Sequence, residues 1–192
     1  METYLIGDDI LYLHFPTKQK MYDAANRFHV YYESPDRKGH LEEDYGNWSG
    51  YNFPQNFLNK FSKEEVTPAE QLLLDVNHTY PNRYVIMTYE NPNKNRTLMH
   101  EICHALYATD WSYRSEVRRL MARSNLDNIR KELSHYSGDV FRDEAQAYLI
   151  EWNKFKQFMS SAGHNADEYL LLHHDLLKVY NRHAANLRKN KI

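Results

Sequence analysis

A chain of 192 residues with 42% hydrophobic and 26% charged residues is long enough to bury a core and too apolar for a disordered segment. The formal net charge of -2 excludes a global basic footprint for nucleic acid or an anionic membrane, and no stretch approaches the roughly 18 apolar residues of a membrane span. Cys103 is the only cysteine, which excludes an intrachain disulfide and a cysteine-based metal cluster.

Sixteen tyrosines let many positions combine apolar packing with a hydroxyl, so a mean hydropathy of -0.82 is compatible with a core. The N-terminus METYLIGDDILYLHF carries acidic residues where a signal peptide needs positive charge, and a cytoplasmic protein is expected. Sequons at Asn47, Asn77 and Asn95 are short patterns of frequent chance occurrence.

In chain order, DILYLHF (9–15) alternates as a strand does, TKQKMYDAANRF (17–28) is helical, and HVYYE (29–33) returns to strand character. The turn-rich stretch 34–52 reads as a surface loop, and 54–64 as a short helix. Thr67, Pro68 and Glu70 then form a helix start, with Thr67 as N-cap, proline at the first helical position and glutamate completing a capping box. RYVIMTYE (83–90), dominated by β-branched and aromatic residues, is the clearest strand. A break at 91–95, with Asn95 as a candidate N-cap, separates it from helices expected at 96–109, 112–124, 126–135, 138–160 and 166–189. The predicted class is α+β: a small N-terminal mixed α/β lobe (1–95) with a short sheet, packed on a mainly helical C-terminal lobe (96–192), in a single domain.

The segment TLMHEICHALY (97–107) carries the chemistry. Helical residues advance about 100° each, so His100 and His104 lie about 40° apart on one face and can address one cation. Glu101 is one position round, close enough to accept a proton from water activated at the metal. Leu98, Ile102, Ala105 and Leu106 form an apolar stripe that would bury the helix, with the polar triplet at its edge. The structural alternative is a half-buried helix with two satisfied histidines. Cys103 reads as a small core residue.

A catalytic zinc normally takes three protein ligands. Asp110 stands where an H-E-x-x-H-x-x-G-x-x-H pattern has its last histidine, but Tyr107 occupies the turn glycine, which makes Asp110 a poor ligand candidate. The stronger candidate is Glu144 in FRDEAQAYLIEW (141–152), 40 residues after His104, with Asp143 as the adjacent fallback. Glu144, Ala147, Tyr148 and Glu151 share a helix face, and Ala145 and Ala147 are small enough for close helix approach. The alternative is that Asp143, Glu144 and Glu151 are ordinary solvated charges.

HEICH followed by DEAQAYL resembles the zincin metallopeptidases, in the gluzincin arrangement of two helix histidines and a downstream glutamate. The resemblance covers about a quarter of the chain, and the gap before the glutamate is longer than in thermolysin-like enzymes. It implies Zn2+ held by His100, His104 and Glu144, with Glu101 as general base, in a zincin-like fold whose cleft lies between the two lobes. It implies hydrolysis of a peptide or protein substrate by zinc-activated water, and an edge strand, Tyr84 to Tyr89, that pairs with the extended substrate. The rival from another class is a non-catalytic interaction protein that keeps the scaffold and a structural zinc.

Of the remaining polar residues, His135 and Tyr136 are candidate oxyanion donors, though a structural role is the commoner one at such positions. Arg142 is a candidate for binding a substrate carboxylate, though pairing with a helix acid is the commoner role, and His173 and His174, facing different directions on a leucine-rich helix, are expected to be structural or exposed. The basic end RHAANLRKNKI suits a helix C-terminus.

Overall fold

The computed structural model describes residues 1–33, 49–61, 65–89, 96–134, 136 and 138–192. The expected break at 91–95, the Asn95 cap, most of the 34–52 loop and the Asn47 sequon lie outside them. The chain is a mixed α and β protein that divides into two compact units, Met1–Glu101 with Arg188–Ile192, and Ile102–Leu187. Among the described residues no helix is long and apolar enough to cross a membrane.

The first unit is built on a five-stranded sheet in the order β3-β4-β2-β1-β5. Its strands are β1 (Glu2–Ile6), β2 (Ile10–His14), β3 (Gly50–Pro54), β4 (Tyr84–Thr88) and β5 (Lys189–Lys191). β2 and β4 run parallel; the other pairs are antiparallel. Two helices, α1 (Lys18–Glu33) and α2 (Pro68–Thr79), supply the apolar residues that cover one sheet face. Successive side chains of a strand alternate in direction. Leu11 and Leu13, Tyr51 and Phe53, and Val85 and Met87 therefore point into one core with Met21, Ala24, Phe28, Leu73 and Leu74. The opposite face receives Tyr12, Gly50, Asn52, Tyr84, Ile86 and Thr88, where the Tyr12 hydroxyl and Thr88 Oγ1 bond at 2.9 Å.

Several expectations are corrected here. Residues 29–33 continue α1 and do not form a strand. Aromatic side chains along this helix are used for packing: Phe28 and Tyr31 meet Phe61 edge-on at 4.7 and 5.1 Å, and Tyr32 meets Phe57 at 5.4 Å. Burial at helical spacing thus outweighs β propensity. β4 is not an edge strand, because β2 pairs with it on one side and β3 on the other. Among the described residues the edges are β3, part of which was expected to be loop, and β5. A 3-10 turn, Gln55–Phe61, follows β3. The α2 start is as expected: Glu70 N–H donates to Thr67 Oγ1 at 3.2 Å, and Thr67 N–H donates to Glu70 Oε2 at 2.7 Å.

The division between units falls inside α3 (Arg96–Thr109), after Glu101. The second unit continues with α4 (Trp111–Met121), α5 (Asp127–Glu132), α6 (Gly138–Ile150), α7 (Trp152–Ser161), a 3-10 turn (Ala166–Tyr169) and α8 (Leu170–Ala184). Tyr113, Val117 and Met121 on α4, and Phe141, Ala145 and Leu149 on α6, recur every fourth residue and are buried. The helix expected at 138–160 breaks at Glu151, beyond which Trp152 stacks on Phe155 at 5.6 Å and on His173 at 4.7 Å. The helix expected to reach 189 ends at Ala184, and the tail returns to pair β5 with β1. There Lys189 Nζ lies 4.1 Å from the Tyr4 ring centroid, a cation–π contact that a helix end would not provide.

Candidate metal centre

α3 spans the range its sequence predicted, and its spacing brings His100 and His104 one turn apart. Both are buried, at 8% and 2% exposure. α6 contributes Glu144, and one ligand atom from each of His100, His104 and Glu144 lies within 4.8 Å of the others. His104 Nε2 is 3.9 Å from Glu144 Oε1. Ligands of a tetrahedral zinc at bonds of about 2.0–2.2 Å stand roughly 3.4 Å apart, so modest side-chain adjustment would close the cluster. Two imidazoles and one carboxylate are the donor types of a catalytic zinc with a position left for water. The residues fit the ion.

The tautomer of His104 is set from the same helix. His104 Nδ1 lies 2.9 Å from Asp143 Oδ1. A carboxylate only accepts, so Nδ1 carries the hydrogen, and Nε2 is the nitrogen that faces Glu144. Asp143, the fallback ligand, thus occupies the other side of the ring, because adjacent α6 residues point about 100° apart and meet the two nitrogens separately. Burial raises the Glu144 carboxyl above its ordinary range, with His104 pulling it partly back and Asp143 adding to the rise. A bound cation would reverse that balance.

Behind Asp143 stands a polar chain within the second unit. Gln146 Nε2 donates to Asp143 Oδ1 at 3.2 Å, and the Tyr113 hydroxyl donates to Gln146 Oε1 at 2.6 Å. Gln146 and Tyr113 are both at 0% exposure. Burial, reinforced by Cys103, raises the Tyr113 phenol well above its usual range and keeps it a donor.

Glu101 belongs to the first unit, 5% exposed, and faces β3. Asn52 Nδ2 donates to Glu101 Oε2 at 2.9 Å, while the Tyr84 hydroxyl donates to Asn52 Oδ1. Gly50 leaves the necessary space: a Cβ there would stand 2.4 Å from Glu101 Oε1 and 2.9 Å from Thr97 Cγ2. Gly50, Asn52, Tyr84, Gln146 and Tyr113 were not singled out from sequence. The alternation of Tyr51 and Phe53 was the available signal for the first two.

The other candidates have different employment. Asp110 is the N-cap of α4, its Oδ1 accepting the Tyr113 N–H at 3.0 Å and its Oδ2 lying 2.6 Å from His183 Nδ1, so its weak candidacy as ligand falls. Tyr107 is buried in the continuing helix and donates to Asp139 Oδ1 at 2.8 Å, its phenol pushed up to about 12 by burial. Arg142 lies 3.6 Å from Asp139, the helix acid expected. His173 is buried with Nδ1 2.8 Å from the Leu149 carbonyl, a structural role. His135 lies outside the described residues; the Tyr136 N–H donates to the Leu133 carbonyl at 3.0 Å.

No protein-family model matches this chain, and no curated protein or solved structure matches it either.

Proposed function

We propose that the chain is a zincin-type zinc metallopeptidase of the gluzincin kind, with His100, His104 and Glu144 as metal ligands and Glu101 as general base. The observation that carries this reading is the convergence of the three donor side chains, with His104 bound at Nδ1 by Asp143 so that Nε2 faces Glu144. When bound, zinc supplies Lewis acidity, polarising the substrate carbonyl and lowering the pKa of water to about 7. Glu101 stands one residue from His100, and its anchor on Asn52 fixes Oε2. It takes a proton from the attacking water and returns it to the leaving amine.

The extended substrate is assigned to β3 in place of β4. β3 stands at an end of the strand order among the described residues, and an edge strand is where strand addition takes place. The same strand holds the general base through Asn52, which ties substrate register to the reacting group.

The test is digestion of a peptide library by the zinc-loaded protein, read by mass spectrometry. Cleavage by the wild type, reduced by about 10²–10⁴-fold in a Glu101→Gln variant that retains zinc, is expected. Undiminished cleavage by Glu101→Gln contradicts the assigned base. Bound zinc with no cleavage favours the structural-zinc alternative.

A further inference from the structure

Gln146 is a polar side chain at 0% exposure on the core side of α6, where Ala145, Leu149 and Phe141 are apolar. Packing alone gives no reason for an amide there. An apolar residue of similar shape would avoid the cost of burying a hydrogen-bonding group, and replacing both partners of a buried hydrogen bond by apolar groups is nearly neutral or stabilising. Tyr113 adds a second such group, since its hydroxyl is equally buried. The two groups are linked to each other and, through Gln146, to Asp143, and the Tyr113 hydroxyl also meets Cys103.

We infer that Tyr113, Gln146 and Asp143 form a one-directional positioning relay that fixes the orientation and tautomer of His104 for metal binding, an assignment that rests on the zinc reading above. The direction follows from the donors. The Tyr113 hydroxyl donates to Gln146 Oε1, which fixes the amide flip and presents Nε2 to Asp143. That amide hydrogen and His104 Nδ1 converge on one oxygen, Asp143 Oδ1, at 3.2 and 2.9 Å. Asp143 is an acceptor from both, so it cannot rotate toward the ion without losing two hydrogen bonds at once. The relay thereby separates two adjacent acids of the same helix into different jobs: Glu144 ligates, and Asp143 orients. Asp143 and Gln146, three residues apart, share a helix face, which is why one turn of α6 provides both links.

The relay gives opposite expectations for affinity and stability, which a purely structural role does not. Zinc affinity is measured by competition with a chromogenic chelator, thermal stability on the metal-free protein, and the His104 tautomer by ¹⁵N NMR of the imidazole in the metal-free protein. Wild-type His104 is expected in the Nδ1–H form. Asp143→Ala shifts it toward Nε2–H and weakens zinc binding by about 10–100-fold. The Tyr113→Phe/Gln146→Leu pair keeps or raises the melting temperature yet weakens zinc binding. Adding Gln146→Leu to Asp143→Ala costs no further affinity, because Gln146 acts through Asp143.

An Nε2–H tautomer in the wild type, or losses from Gln146→Leu and Asp143→Ala that simply add, would overturn the relay. A double variant that loses stability while keeping wild-type zinc affinity would overturn it as well. Failure of the wild type to bind zinc while His104 remains in the Nδ1–H form would instead overturn the metal reading on which the inference rests.

Discussion

The amide of Asn52 holds the carboxylate of Glu101: Nδ2 donates to Oε2 at 2.9 Å, with the Tyr84 hydroxyl fixing the amide from behind. Because Glu101 is 5% exposed, this donor offsets part of the cost of burying its charge. Replacing Asn52 by alanine leaves the carboxylate and the Tyr84 hydroxyl each short of a partner. A stability loss of about 1–3 kcal/mol is expected, measured by urea unfolding. If Glu101 is the base proposed above, zinc content should be unchanged and kcat reduced, since Asn52 bonds Glu101. Equal kcat in wild type and Asn52→Ala would remove Asn52 from the site.

Gly50 is required for close approach, not for backbone freedom. A methyl there meets Glu101 Oε1 at 2.4 Å and Thr97 Cγ2 at 2.9 Å, so the Glu101 and Thr97 side chains must shift. Gly50→Ala is expected to destabilise by about 1–3 kcal/mol, the usual cost of overpacking, and to displace the Glu101 carboxylate. Parallel unfolding and peptide-cleavage assays check both parts. A neutral substitution would show that β3 has more room than its register implies.

The Asp110–His183–Glu116 cluster makes an acid-sensitive clamp between α4 and α8. His183 Nδ1 and Nε2 lie 2.6 and 3.2 Å from the carboxylates of Asp110 and Glu116, and Arg182 also reaches Glu116. Burial pushes both carboxyls up, but the Tyr113 N–H and His183 at Asp110, and His183 and Arg182 at Glu116, outweigh it and hold both below their ordinary range. Depressed folded values mean the stabilisation is present above the unfolded carboxylate pKa and is lost as pH falls through the folded one. Asp110→Ala is therefore expected to cost about 1 kcal/mol at neutral pH, mainly as a lost N-cap. The gap to wild type should narrow as pH drops below about 4. A pH-independent difference across that range would contradict the clamp.

What the sequence made legible depended on local spacing. The α3 boundaries, the Thr67 capping box and the pairing of His100 with His104 follow from interactions within one or two helical turns. Glu144 was legible only jointly with the histidines, because a lone acid on a helix is ordinarily solvated. What was not legible is set by distant partners. β3 is a strand because β4 lies beside it, and β5 forms because the tail returns to β1. The helical fate of 29–33 follows from Phe57 and Phe61, residues about thirty positions away. Gln146 and Tyr113 carry no local signal; only their contact 33 residues apart in sequence reveals a chain.

Zinc binding should stabilise the fold by mass action. At a free zinc concentration a hundred times Kd, the gain is about 2.7 kcal/mol, enough to raise the melting temperature by several degrees. Dialysis against a chelator should reverse it, and in Glu144→Ala the same zinc concentration should produce a much smaller shift. A zinc-induced shift that survives Glu144→Ala intact would place the ion elsewhere.

The most direct test of the ligand set is zinc content per chain, measured by elemental analysis of wild type, His104→Ala, Glu144→Ala and Glu101→Gln proteins shown to be folded. One zinc per chain in the wild type and in Glu101→Gln, with little or none in His104→Ala and Glu144→Ala, is the predicted result. A folded wild type that takes up no zinc, or a Glu144→Ala protein that holds it as tightly as wild type, would contradict the His100–His104–Glu144 centre.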